Sequence, residues 1–403
     1  MFTLRLKQFS WALSATVDLV GVTDILHGRR VAYIAGELAS HLPHPLPWPV
    51  DDILLAGMLH DCGVSSTETH EHLLKEMEWT QAEDHCRRGA DLLEATGSLN
   101  HLAGAIRLHH RAWDQVTDPA NPTPDEWLGN LLFLADRVDV LAATQPGDIL
   151  FDYPAVVDRL NRLAPRLFNP EFTDALVLAA RVEAFWLVRD EAPLTHYFAR
   201  WLREDQTVDL PWEEVGALFD LYGQCVDGKS LFTAEHSRAV GRLCGQLAAD
   251  LGLPERQAQQ LRLAGLVHDI GKLRVPDRIL NFPGPLDGVD FSTIKHHSFD
   301  ALEILNHIDG FEQIAEWASL HHERLDGTGY PYQARGAGVP REARILAVAD
   351  VFQALVQDRP YRPGMAAGQV SDILTQEAEA GRLDPEIVST VLGSLDRYYT
   401  LAQ

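Results

Sequence analysis

Along the chain, apolar side chains recur three and four positions apart and rarely alternate. Phe9, Leu13, Val17 and Val20, then Val31, Ile34, Ala35 and Leu38, give helical spacing over residues 8–40, broken by the segment Gly21 to Gly28. A proline-rich loop, His41 to Pro49, stops the second helix. Asp51-Asp52 start another, I-L-L-A-G-M-L-H-D-C-G, with acidic residues in its first turn and Gly63 placed to end it. Further helices are predicted near 81–95, 99–111, 126–143, 154–163 and 171–189, with a loop at Pro119, Pro122 and Pro124. With strand-type alternation nearly absent, the predicted class is all-α. A softer stretch around 190–211 is the expected boundary between domains 1–205 and 206–403. Beyond it the pattern begins afresh, with helices from Trp212 to Val226 and from His236 through Leu251.

The restart is a repeat. H-G-R-R-V-A-Y-I-A (27–35) pairs with H-S-R-A-V-G-R-L-C (236–244), and L-L-A-G-M-L-H-D-C-G (54–63) with R-L-A-G-L-V-H-D-I-G (262–271). H-C-R-R-G-A-D-L-L (85–93) pairs with H-S-F-D-A-L-E-I-L (297–305), and L-H-H-R-A-W-D (108–114) with L-H-H-E-R-L-D (320–326). L-L-F-L-A-D-R-V-D-V-L (131–141) pairs with I-L-A-V-A-D-V-F-Q-A-L (345–355). The offset drifts slowly, from 208 positions between His60 and His268 to 215 between Pro170 and Pro385, as small loop changes in a duplicated domain would produce.

Each copy presents five imidazoles and two carboxylates. They are His27, His60, Asp61, His85, His109, His110 and Asp136 in the first, and His236, His268, Asp269, His297, His321, His322 and Asp350 in the second. A lone histidine on an apolar helix is ordinarily a core or surface residue; seven positions recurring in order are a candidate ligand set. In a helical bundle, inward-facing His and carboxylate side chains from several helices can converge on a buried metal centre. An aspartate beside a histidine can bridge two cations. Two divalent ions roughly 3.5–4 Å apart activate water and clamp phosphate oxygens for in-line displacement, which is phosphoester hydrolysis.

Composition narrows the partners. With 58 acidic against 34 basic residues the formal charge is −24, which argues against a broad DNA, RNA or anionic-membrane surface. A local cationic site with metal ions still suits a small anionic substrate. Cys62, Cys86, Cys225 and Cys244 form no C-x-x-C pair and are expected as buried free thiols. No signal peptide or run of about 18 uncharged apolar residues is read, so a cytoplasmic location is expected.

Over about 215–400 the chain resembles the HD-GYP family of bacterial phosphodiesterases, within the HD metal-dependent phosphohydrolase superfamily. The motifs that carry the resemblance are H-D-I-G-K at 268–272, H-H-E-R-L-D-G-T-G-Y-P at 321–331, A-R-I-L-A-V-A-D at 343–350 and D-R-P-Y-R at 358–362. The resemblance implies tandem HD-type helical bundles and hydrolysis of cyclic di-GMP, or of the hybrid cyclic GMP-AMP, with iron or manganese. It implies that His236, His268, Asp269 and Asp350 hold one metal, and that Asp269 shares a second with His297, His321 and His322. Lys272 is the implied phosphate contact, Arg359 and Arg362 the cations that grip the dinucleotide, and Tyr330 part of the substrate-shaping loop. Phe232 stands where some members place a glutamate for a third metal, so two metals per site are expected. Gln353 stands where the family usually has an aspartate. The first half is similar to a general HD domain: Val64 replaces the lysine and no G-x-G-Y-P follows His110. It is expected to be a 5′-nucleotidase or a regulatory domain. The competing expectation for the whole chain is a catalytically weak receptor for cyclic dinucleotide; whether the chain forms a homodimer stays open.

Overall fold

The structure, a computed structural model, describes every residue except 22–25, 46, 65, 228–234, 359–362 and 403, and only the backbone of 21 and 227. Phe232, Arg359 and Arg362 therefore lie outside the described residues. The described chain is helical, with two short strands, Phe2–Arg5 and Thr207–Leu210. It divides into two compact units, Arg5–Val208 and Asp209–Gln403, the second also holding Met1–Leu4.

In the first unit the candidate ligands sit on or just beyond five helices: α1 (His27–Ser40), α2 (Val50–Leu59), α3 (Ala82–Glu94), α4 (Ala103–Arg107) and α5 (Pro124–Ala143). α5 starts at a capping box in which Thr123 and Glu126 satisfy each other's backbone N–H, with Pro124 in the first turn, where a missing donor costs nothing. Its middle, Leu128 through Ala142, is buried throughout. It is the central helix of this unit.

The second unit repeats the order with α6 (His236–Asp250), α7 (Glu255–Val267), α8 (Gly288–Leu305), α9 (Glu312–Ser319) and α10 (Arg341–Val356). Its core includes Phe219, stacked on Phe311 at 4.6 Å between ring centroids. The first residues of the chain join it: Phe2 lies 5.2 Å from Trp212, and Thr3 donates to the Asp209 carboxylate at 2.7 Å. The glycine after each His-Asp pair is required by packing, since a Cβ on Gly271 would sit 2.3 Å from the His297 carbonyl oxygen and one on Gly63 2.0 Å from that of His85. Glycine at that point lets the His-Asp segment touch the next ligand helix.

Two helix expectations are corrected, and the boundary stretch gains a helix. The stretch 99–111 is a 3-10 turn, Asn100–Leu102, followed by α4, which stops at Arg107, so His109 and His110 lie in the turn beyond it. Residues 171–189 form two helices, Pro170–Ala179 and Glu183–Leu187. Most of the softer stretch 190–211 is the helix Glu191–Arg203; its Pro193 lies in the first turn, where no backbone donor is lost.

Candidate metal centres

Both His-Asp pairs follow the C-terminal end of a helix, α2 or α7, and both His-His pairs follow α4 or α9. Helix C-termini carry partial negative charge and favour a nearby cation. Backbone carbonyls three residues back orient the rings. His268 Nδ1 donates to the Gly265 carbonyl at 2.8 Å, His297 to Ile294 at 2.6 Å and His321 to Ala318 at 2.5 Å. In the first unit His60 and His109 do the same to Gly57 and Ile106, at 2.8 and 2.6 Å. Each of these bonds uses the Nδ1 proton and turns an Nε2 lone pair inward, the tautomer that binds metal.

In the second unit these lone pairs form two groups joined by one carboxylate. His236, His268 and Asp350 place their ligand atoms within 4.8 Å of one another, as do His297, His321 and His322. Asp269 stands between: Oδ2 is 3.4 Å from His268 Nε2 and 3.6 Å from His236 Nε2, while Oδ1 is 3.5 Å from His297 Nε2 and 3.9 Å from His321 Nε2. The first unit repeats the plan with His27, His60 and Asp136 in one group and Asp61, His85, His109 and His110 in the other. Asp61 Oδ2 is 3.4 Å from His60 and Oδ1 is 3.3 Å from His85.

The donor sets fit divalent cations. Asp269 Oδ1, Asp61 Oδ1 and His60 Nε2 are buried with no hydrogen-bond partner among the described residues, and such orphaned groups cost several kcal/mol each if nothing offsets them. Electrostatics divides the set: against the effect of burial, neighbouring acidic groups hold His268, and in the first unit His27, His85 and His109, above their ordinary value, while other members fall below it. Burial would raise the Asp269 carboxyl, but His268 and Lys272 beside it hold it well below the carboxylate range. Burial lowers His297 to about 4, and burial with the charges of His268 and His297 lowers His321 to about 3, so both rings are neutral at physiological pH, the form a metal would need. Burial likewise lowers His60 to about 4 and takes His110 well below its ordinary value.

What surrounds the two centres differs. In the second unit Lys272 Nζ lies 2.5 Å from Asp269 Oδ2, and a cavity of about 470 Å³ opens over His236, His322 and Asp350, bordered by Lys272, Asn281, Phe282 and Tyr330. The loop carrying Tyr330 is held by a residue sequence reasoning passed over. Glu323, 2% exposed, accepts backbone N–H bonds from Tyr332, Gln333 and Ala334 at 2.7, 3.1 and 2.9 Å. Gly329 lets the loop fold back, because a Cβ there would lie 2.4 Å from the Arg324 nitrogen. The Tyr330 ring then rests 4.8 Å from that of His322. The first unit has buried Val64 in place of the lysine. Its cation is Arg137, bonded to Asp136 Oδ2 at 2.6 and 3.0 Å, where the second unit has Val351. Cys86 Sγ lies 3.8 and 3.9 Å from the Nε2 atoms of His85 and His109. Burial opposes ionisation of that thiol, yet the two imidazoles bring it down to about 6. Asp139, which the sequence reading passed over, accepts from His27 Nδ1 at 2.9 Å, and Gln353, noted there for replacing the family's aspartate, accepts from His236 Nδ1 at 2.5 Å.

Two helical bundles, each gathering histidines and aspartates into a paired ligand cluster, define a tandem HD-domain hydrolase. Family profiles described as HD domain match residues 25–141 and 224–387. The chain is 35% identical over 421 residues to the 3′3′-cGAMP-specific phosphodiesterase 1 of Vibrio cholerae, covering 100% of this chain and 94% of the relative. A cyclic di-GMP phosphodiesterase of Pseudomonas aeruginosa is 37% identical over 169 residues, 41% of this chain and 40% of that protein. The fold is similar to the crystal structure of a cyclic GMP-AMP specific phosphodiesterase of Vibrio cholerae, with a TM-score of 0.66 at 20% identity over 98% of each chain. The chain belongs to the HD-GYP family of phosphodiesterases and carries a further HD domain at its N-terminal side. All four cysteines are free and buried, and no helix among the described residues is long and apolar enough to cross a membrane.

Proposed function

We propose that the second unit hydrolyses a bacterial cyclic dinucleotide, 3′3′-cyclic GMP-AMP or cyclic di-GMP, to the linear pApG or pGpG. The observation that carries this is the pairing of two ligand groups through Asp269 with a cavity of about 470 Å³ bordered by Lys272 and Tyr330. His236, His268, Asp269 and Asp350 would hold one divalent ion, and Asp269, His297, His321 and His322 a second, with iron or manganese the metals of choice. Such ions, when bound, supply an activated water and electrophilic stabilisation of the phosphate oxygens. The protein's own part is positional. Carbonyl-anchored imidazoles keep Nε2 inward, and Asp269 offers one oxygen to each group. Lys272, freed from Asp269, brings a point charge to the phosphoryl oxygens on which negative charge grows. Tyr330 and Phe282 wall the cavity with aromatic surface for nucleobases, and Arg359 and Arg362 are assigned to the dinucleotide from their motif alone. The names of the V. cholerae and P. aeruginosa relatives support this substrate class. The test is anaerobic purification and incubation with both dinucleotides: linear product from at least one supports the assignment, and retention without turnover supports a receptor instead.

The first unit has a separate role in this scheme. A cavity of only about 180 Å³ reaches its centre, lined by Cys86, Arg107, His110 and Arg111 among others, which suits a terminal phosphate and not a cyclic dinucleotide. It is read as a phosphatase acting on the linear product. Replacing His60 and Asp61 together by alanine should leave linearisation intact and stop dephosphorylation. An unchanged product series returns the unit to a regulatory role.

A further inference from the structure

His27 and His236 differ from the carbonyl-anchored ligands. Each is the first residue of its helix, and the Nδ1 of each meets a side chain three residues beyond the aspartate of the last candidate-ligand helix. In the first unit that side chain is Asp139, itself held by Arg30 at 2.7 and 2.9 Å and by Arg189 at 2.8 Å. In the second it is Gln353, 1% exposed. The two replacements are coupled: in the aligned segments H-G-R-R-V and H-S-R-A-V, Arg30 corresponds to Ala239. A buried carboxylate without its arginine would be an uncompensated charge, whereas a buried amide needs none.

We propose that Gln353 is a positioning residue that aims His236 Nε2 at Asp350, 3.3 Å away, and holds the metal position of His236, His268 and Asp350 at reduced affinity. A carboxylate accepting the Nδ1 proton makes the opposite nitrogen more basic and a stronger ligand; a neutral amide orients the ring without that gain. The position thereby exchanges its ion more readily than it would with an aspartate, and hydrolysis responds to the supply of metal. The inference rests on the two-metal assignment of the second unit.

The test uses the full chain with His60→Ala and Asp61→Ala, so that Mn²⁺ reports the second unit, titrated at pH 8 against a competing chelator. Gln353→Leu should weaken one of two Mn²⁺ sites about 10- to 100-fold, the range for loss of an outer-shell partner, and Gln353→Asp should tighten it by a similar factor. If Gln353→Asp does not fold, Ala239→Arg with Gln353→Asp restores the first unit's pairing and takes its place. Wild-type Mn²⁺ affinity in Gln353→Leu, or no tightening in the aspartate variant, overturns the proposal. His236→Ala separates the two levels: if it too binds Mn²⁺ like the parent, the metal assignment fails and not merely the role of Gln353.

Discussion

Asp269 stands between two groups of histidines. Its two oxygens face one group each; one oxygen accepts from Lys272, while the other has no hydrogen-bond partner among the described residues. Asp269→Asn keeps the volume and removes the charge. It should abolish tight metal binding and lower turnover by more than the about 100-fold that outer-shell losses reach, measured by metal analysis and initial rates. Protons add a second expectation. Burial would lower His268, but Asp269 raises it above its ordinary 6.5, so the metal-free centre holds a proton there that an incoming cation must displace. Mn²⁺ affinity should therefore rise as pH increases through that raised value and then level off. His297, at about 4, and His321, at about 3, are already neutral and add no slope above about pH 5. Calorimetry in two buffers of different ionisation enthalpy would count the released proton. The seven-residue sets were legible because each member recurs at a matched offset. Glu323 and Asp139 were not, because their partners are backbone amides of a folded loop or a ring more than 100 positions away.

At the scale of elements, the loop after His322 is organised by Glu323 as much as by its glycines. Glu323→Ala leaves three backbone N–H groups without their acceptor, at about 1–3 kcal/mol for each that stays buried. It should lower the melting temperature and raise KM for cyclic dinucleotide, while hydrolysis of bis(p-nitrophenyl) phosphate, which has no second nucleotide to place, changes less. The short helix Asp18–Gly21 that leads toward α1 supports a stability test. Burial raises Asp18 to about 6 from an ordinary 3.8, even though its Oδ1 accepts from Gly28 N at 3.0 Å. A carboxyl raised in the folded state favours folding below about pH 4 and loses that contribution as pH rises through 6. Asp18→Asn should stabilise the protein by about 3 kcal/mol at pH 8, from a shift of about two pH units, and by almost nothing at pH 4. Helix positions were largely readable from apolar spacing and prolines. The ends at Leu59 and Arg107 were not, because the His-Asp and His-His pairs continue a helical pattern in sequence while their side chains turn inward in space.

For the whole molecule, duplication explains the likeness of the two residue sets. The repeat was visible because the ligand motifs kept their order, and the all-α class because alternation was nearly absent. That Phe2 and Thr3 pack in the second unit was not visible, since Trp212 and Asp209 lie some 200 positions away. A formal charge of −24 opposes a dianionic substrate at long range, so under the proposed assignment attraction depends on Lys272, Arg359, Arg362 and bound cations at short range. Hydrolysis should accordingly be lost on chelation and return with Mn²⁺ or Fe²⁺. The most direct measurement compares wild type, Asp61→Asn and Asp269→Asn, loaded anaerobically with metal, on 3′3′-cyclic GMP-AMP and cyclic di-GMP. Linear product from wild type and Asp61→Asn, and almost none from Asp269→Asn, is the predicted result. Undiminished hydrolysis by Asp269→Asn, or no hydrolysis of either dinucleotide by the loaded wild type, would contradict the assignment of this chemistry to the second unit.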